Sequence, residues 1–133
     1  MSYAHFLMES LETSGALGGF ELICGGSGTL APLPQDQVYV TFDEGKNEGE
    51  YLLGEDGPLI SETVNVGIYV PELSGADICR QCAKEVCMAV IGADTQRRIV
   101  GMASGTCRYS EEYFAYFMTI SFELREGRDV RNE

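Results

Sequence analysis

In Glu62-Thr63-Val64-Asn65-Val66-Gly67-Ile68-Tyr69-Val70-Pro71-Glu72-Leu73-Ser74 a two-residue period gives way to the start of a helical one. Val64, Val66, Ile68 and Val70 recur at every second position. Successive side chains of a strand point to opposite faces, so this is a strand with one apolar face. Pro71 ends it, because proline cannot donate to a ladder. Ser74 then opens a helix, with Asp77 three residues on in the pattern of a capping box. Ile78, Cys82, Val86, Ala89 and Val90 make its dry face, and Arg80, Gln81, Lys84 and Glu85 its wet one. The spacing predicts a helix to Ile91, stopped by Gly92.

Outward from this core, the N-terminal residues 2–13 read as a second amphipathic helix. Ser2 caps it, Ala4, Leu7, Met8 and Leu11 form its stripe, and Gly15 stops it. Residues 14–36 are rich in glycine and proline and enclose one short alternating segment, 20–24. Val38, Val40 and Phe42 alternate with Tyr39 and Thr41 as a half-buried strand does. After a turn at 94–97, residues 99–106 alternate through Gly101, Ala103 and Gly105, a strand packed closely on something. A turn at 109–112 leads to residues 113–124, expected as the longest strand, with Met118, Ile120, Phe122 and Leu124 on one face. The charged tail 126–133 is expected to fray. This order predicts one α+β domain over residues 1–133. Its antiparallel-rich mixed sheet carries an N-terminal helix and one long central helix.

Charge narrows the function. With 21 acidic against 9 basic residues, the formal charge is −12. Nucleic-acid affinity rests on lysine and arginine displacing counterions, so ordinary DNA or RNA binding is disfavoured. No apolar run reaches the ~18 residues a bilayer requires. Glu9 and Glu12 stand where the apolar run of a secretory leader would lie. The expectation is a protein of a cell interior, or of a particle assembled there. Five cysteines at irregular spacing read as reduced thiols.

Few constellations carry chemistry. Cys79, Cys82 and Cys87 form C-x2-C-x4-C, open to a zinc or redox reading, but the first two fall on the dry helix face, where cysteine behaves as a small hydrophobe. Gly25-Gly26-Ser27-Gly28 lacks the lysine of a phosphate loop. His5 has no partner motif. The reading is therefore no enzyme, no cofactor and no metal. Residues 43–58 form a long acidic loop or hairpin tip, with Asp43, Glu44, Glu48, Glu50, Glu55 and Asp56 against Lys46. On the last strand, alternation puts Phe114 and Tyr116 with Met118 and Ile120, and turns Tyr113 and Phe117 the other way. Glu44, Glu48, Glu50, Tyr51, Tyr113 and Phe117 are the candidate interface residues.

Three segments resemble the tail-terminator and related minor tail proteins of long-tailed bacteriophages and prophages. Leu33-Pro34 leading into Val38-Tyr39-Val40 is similar to their proline-led first strand. Residues 64–91 resemble their strand, proline-containing turn and long helix, and residues 113–124 their closing aromatic strand. The resemblance implies a structural virion protein of the tail or neck, assembled in the host bacterial cytoplasm. It implies a ring, expected as a hexamer, that caps the tail tube and meets the tube protein and a head-completion protein. DNA would pass through without specific binding, and no membrane is involved. The alternatives are a small cysteine-based metal- or thiol-binding module and a neck or head–tail connector protein.

Overall fold

In a computed structural model the chain forms an α+β fold: a mixed, mostly antiparallel six-stranded sheet with an N-terminal helix and a long central helix. The structure describes residues 3–24, 37–54 and 57–125, the side chains of 46–54 and 57–61 excepted. Ser2, the glycine-rich segment 25–36, with Leu33 and Pro34, residues 55–56 and the tail 126–133 lie outside it.

The elements are α1 (Tyr3–Ser14), β1 (Glu21–Cys24), β2 (Tyr39–Gly54), β3 (Gly57–Pro71), a 3-10 turn (Glu72–Ser74), α2 (Gly75–Ala93), β4 (Ile99–Ser104), β5 (Arg108–Ser110) and β6 (Ala115–Leu124). The strand order is β1-β2-β3-β6-β4, with β5 also on β6. Among the described strands only β1 and β2 run parallel. β4 and β5 pair with successive parts of β6, Ser104↔Ile120 and Arg108↔Phe117, and so form one interrupted edge. β6 lies between β3 and β4, although it follows both in the chain.

Both helices cover one face of the sheet. Val64, Val66, Ile68 and Val70 are at most 1% exposed. They pack with Val40 and Phe42 of β2, Ile120 and Phe122 of β6, Leu7 and Leu11 of α1, and Val86 and Val90 of α2. At about 25 cal/mol per Å² of apolar surface, this cluster is the main favourable term in folding. On α2, Cys79, Cys82, Ala83, Val86 and Val90 make the buried stripe. Ile78, read as dry, is 40% exposed, because one residue turns a helix about 100° and moves it off that stripe.

Both ends of α2 depart from the sequence reading. Ser74 makes no side-chain cap: it is already helical at φ −78° and ψ −27°, where a capping box needs an extended cap residue. The chain has entered the helix through the preceding 3-10 turn, and Asp77 pairs with Arg80 at 2.7 Å instead. At the other end the helix continues through Gly92 to Ala93. Asp94 then organises the turn, accepting the backbone N–H of Arg98 and Ile99 at 3.0 Å each and the hydroxyl of Tyr3. The Arg98 guanidinium lies 4.7 Å over the Tyr3 ring and reaches Glu62 at 3.3 Å. This node ties α1 to the α2–β4 turn. At the end of α1, Gly15 takes φ +74°, and its N–H returns to Leu11 at 3.0 Å.

The last strand is shorter than expected, and the longest is β2. Residues 111–114 form a turn in which the Ser110 hydroxyl accepts the Tyr113 N–H at 3.2 Å. Phe114 has φ +53°, which breaks the alternation. It is 49% exposed and does not continue the face of Tyr116 and Met118.

Candidate functional site

The helix-free face of the sheet carries the odd-numbered residues of β2 as far as Gly45, of β3 from Thr63 and of β6. Near the Pro71 end of β3 they form an aromatic cluster. Tyr69 pairs in register with Phe117, and their rings stack at 5.6 Å and 15°. Tyr113 meets Tyr69 edge-on at 5.5 Å and 89°. All three rings are half-buried with no element of the described chain laid over them. Burial pushes the Tyr69 hydroxyl up from its ordinary value, with Tyr113 and Asp43 adding to the effect. It is therefore a neutral hydrogen-bond donor and acceptor at physiological pH.

Gly67 makes this packing possible. It lies opposite Thr41 on β2 and Thr119 on β6. A Cβ there would sit 2.8 Å from the Thr41 hydroxyl oxygen and 3.1 Å from Cε1 of Tyr69. The Tyr69 ring leans into the space that a glycine leaves on a strand. Farther along the same face, the Ser121 hydroxyl donates to Asn65 Oδ1 at 2.7 Å. The face thus passes from aromatic to polar along its length.

Of the interface candidates, Tyr113 and Phe117 come together, with Tyr69 between them. Tyr69 was missed. Its signal was available: it stands two residues after a glycine, on the face of β3 opposite the valines. Glu44 is exposed on β2, opposite Val64. Val64 lies five residues from Tyr69, roughly 17 Å at about 3.4 Å per residue. The acidic and aromatic candidates therefore occupy opposite ends of the sheet. Glu48, Glu50 and Tyr51 fall in β2, with side chains outside the described residues.

The tract 43–58 is strand on either side of residues 55–56. β2 and β3 pair out to Gly54↔Gly57, with a register shift between Lys46 and Tyr51. β6 stops beside β3 at Glu62↔Leu124, and β1 flanks β2 only from Tyr39 to Phe42. Beyond Glu62 the hairpin is a two-stranded arm with no third strand among the described residues.

The thiols divide by burial. Cys79 and Cys82 are buried, Cys87 and Cys107 half-buried, and Cys24 exposed. Burial, then the neighbouring Cys107, raises the Cys79 thiol well above its ordinary range. Burial also raises Cys82. A reactive or metal-bound cysteine needs an accessible thiolate, and this packing works against one at either position. Among the described residues no group of three or more His, Cys, Asp or Glu is placed to hold a metal. His5 contacts Glu9 at 2.9 Å on the exposed side of α1. No helix of the described residues is long and apolar enough to cross a membrane.

The chain matches no known protein-family model and no curated protein.

Proposed function

We propose that this chain is a structural subunit of a long-tailed phage or prophage virion: a tail terminator that closes a ring on the end of the tail tube and joins it to the head. The observation that carries the reading is two unlike surfaces at opposite ends of one sheet, the Tyr69–Tyr113–Phe117 cluster and the acidic arm. A closed ring joins its copies through heterologous contacts, and capping a tube needs a further surface unlike those, so two unlike surfaces on one subunit suit both tasks. Half-exposed aromatic rings are common at the centres of protein interfaces. The resemblance of segments 64–91 and 113–124 to tail terminators supplies the particle, with six copies as the expected ring. A charge of −12 suits a ring whose lumen lets DNA slide past without gripping its phosphates. The tube protein and a head-completion protein are the partners, and no residue is assigned a catalytic role.

The experiment mixes the protein with the tail-tube protein of the same particle and images the product by electron microscopy. Rings or capped tubes of fixed length are expected, and Phe117→Asp should leave a folded subunit that caps nothing. A parent protein that neither forms rings nor binds tube ends refutes the reading.

A further inference from the structure

The helix-covered face of the sheet is not covered to its edge. Between α2 and the β4 edge runs an open groove of about 210 Å³, lined by Ala83, Cys87, Met102, Ser104, Met118 and Ile120, with the cations Arg80 and Lys84 beside them. Its lining is mostly apolar, and Cys87 Sγ lies 3.1 Å from Met102 Sδ within it. Beside it β4 is an edge strand, with Val100 57% and Met102 52% exposed. An open apolar edge is a template for adding another chain unless something covers it. Two cations beside the groove, in a chain of charge −12, make that something anionic. Arg80 holds only the exposed Asp77, and Lys84 has no ion pair among the described residues.

We infer that this groove receives the acidic arm of a second copy of the chain. The arm has the complementary composition: in sequence Glu48 and Glu50 stand beside Tyr51, Leu52 and Leu53, and Leu59 and Ile60 follow on the returning strand. By register Tyr51 pairs with Ile60 and Leu52 with Leu59, so the apolar residues lie together on the ladder. The arm does not serve its own groove. It continues the β2–β3 ladder past Glu62 for about five residues, roughly 17 Å, along the strand direction. Its own groove lies to the side, across β6. A two-stranded hairpin alone is marginal in water, so seating on a neighbour stabilises the arm as it covers the β4 edge. Arm and groove are different surfaces, so the contact repeats head to tail.

The test uses the full chain with Cys24→Ser, Leu52→Cys and a short bis-maleimide. Cross-linking between copies is expected, and it should vanish when Cys87→Ala is added. Arg80→Glu with Lys84→Glu should weaken self-association on the order of a hundredfold, since like charges face each other across the contact. Both positions are exposed, so thermal unfolding should be unchanged, and Glu48→Lys with Glu50→Lys should restore association. This inference rests on the ring reading only for its setting, and the outcomes separate the two. Rings that persist in the Arg80→Glu, Lys84→Glu variant overturn the arm contact and leave the ring. Copies cross-linked between residue 52 and Cys87 that cap no tube uphold the contact and sink the tail reading. Protein monomeric at every concentration and on tube ends overturns both. Loss of self-association on deleting 126–133, with arm variants unaffected, would give the groove to the tail and also overturn the inference.

Discussion

Replacing Gly67 with alanine tests the geometry of the aromatic face directly. The new Cβ would stand 2.8 Å from the Thr41 hydroxyl and 3.1 Å from Cε1 of Tyr69. Thr41 is 2% exposed and directly opposite Gly67, so its hydroxyl has little room to turn away. The Tyr69 ring would have to tilt, and it is stacked on Phe117 at 5.6 Å. Overpacking of this kind costs about 1–3 kcal/mol. A disturbed aromatic pair adds about 0.5–1.5 kcal/mol. Alanine recovers about 0.5–1 kcal/mol of strand propensity relative to glycine. The balance is a loss of about 1–3 kcal/mol, seen as a lower urea midpoint at constant m-value. Thr41→Ala with Gly67→Ala should regain much of it, because the closest clash is gone. A Gly67→Ala variant at least as stable as the parent, with unchanged tyrosine fluorescence, would refute the close packing of Tyr69 over Gly67.

Two further outcomes concern the node that joins α1 to the α2–β4 turn. Asp94→Ala strands the N–H groups of Arg98 and Ile99 as well as the Tyr3 hydroxyl, and should cost about 2–4 kcal/mol in urea unfolding; a loss under half a kilocalorie would discount the node. Burial first, then the hydrogen bond to Asp94, raises the Tyr3 hydroxyl above its ordinary value of 10.0. The unfolded chain therefore releases this proton first. The stabilisation is full below about pH 10 and is lost as pH rises through the folded value. Relative to Tyr3→Phe, the parent's advantage should shrink above pH 10. The comparison cancels Tyr69 and Tyr109, which are shifted the same way. Parallel stability curves to pH 11 would show that Tyr3 is not held as described.

What could be read from the sequence depended on periodicity. β3, α2 and α1 were legible because each buries one face of a regular element, so apolar residues recur at two or at three to four. The positions that escaped obey other physics. The β2–β3 ladder is continuous through Glu44, Gly45 and Lys46, which have no apolar alternation, because backbone pairing does not require it. Phe114 left the face assigned to it through a single positive φ, which no hydrophobic pattern encodes. Ser74 failed as a cap because the preceding turn had already set its backbone. The parallel pairing of β1 with β2 depends on long-range geometry that spacing does not carry. At the candidate site, Tyr113 and Phe117 were visible as outward aromatics. Their partner Tyr69 sat in the strand whose valines drew the reading to the other face.

The position of β6 also bears on how the molecule comes to be. It follows β3 and β4 in the chain and yet separates them. A nascent chain therefore has both flanking strands, and the valines of β3, before the strand that joins them exists. Val64 and Val66 wait on Phe122 and Ile120, more than fifty residues downstream in translation order. Such non-local closure slows folding and leaves strand edges open to the wrong neighbours meanwhile. In a cell making many copies at once, the subunit is most exposed to misassembly just before β6 emerges from the ribosome. Variants that slow β6 docking, such as Phe122→Ala, should lower soluble yield more than their equilibrium stability implies.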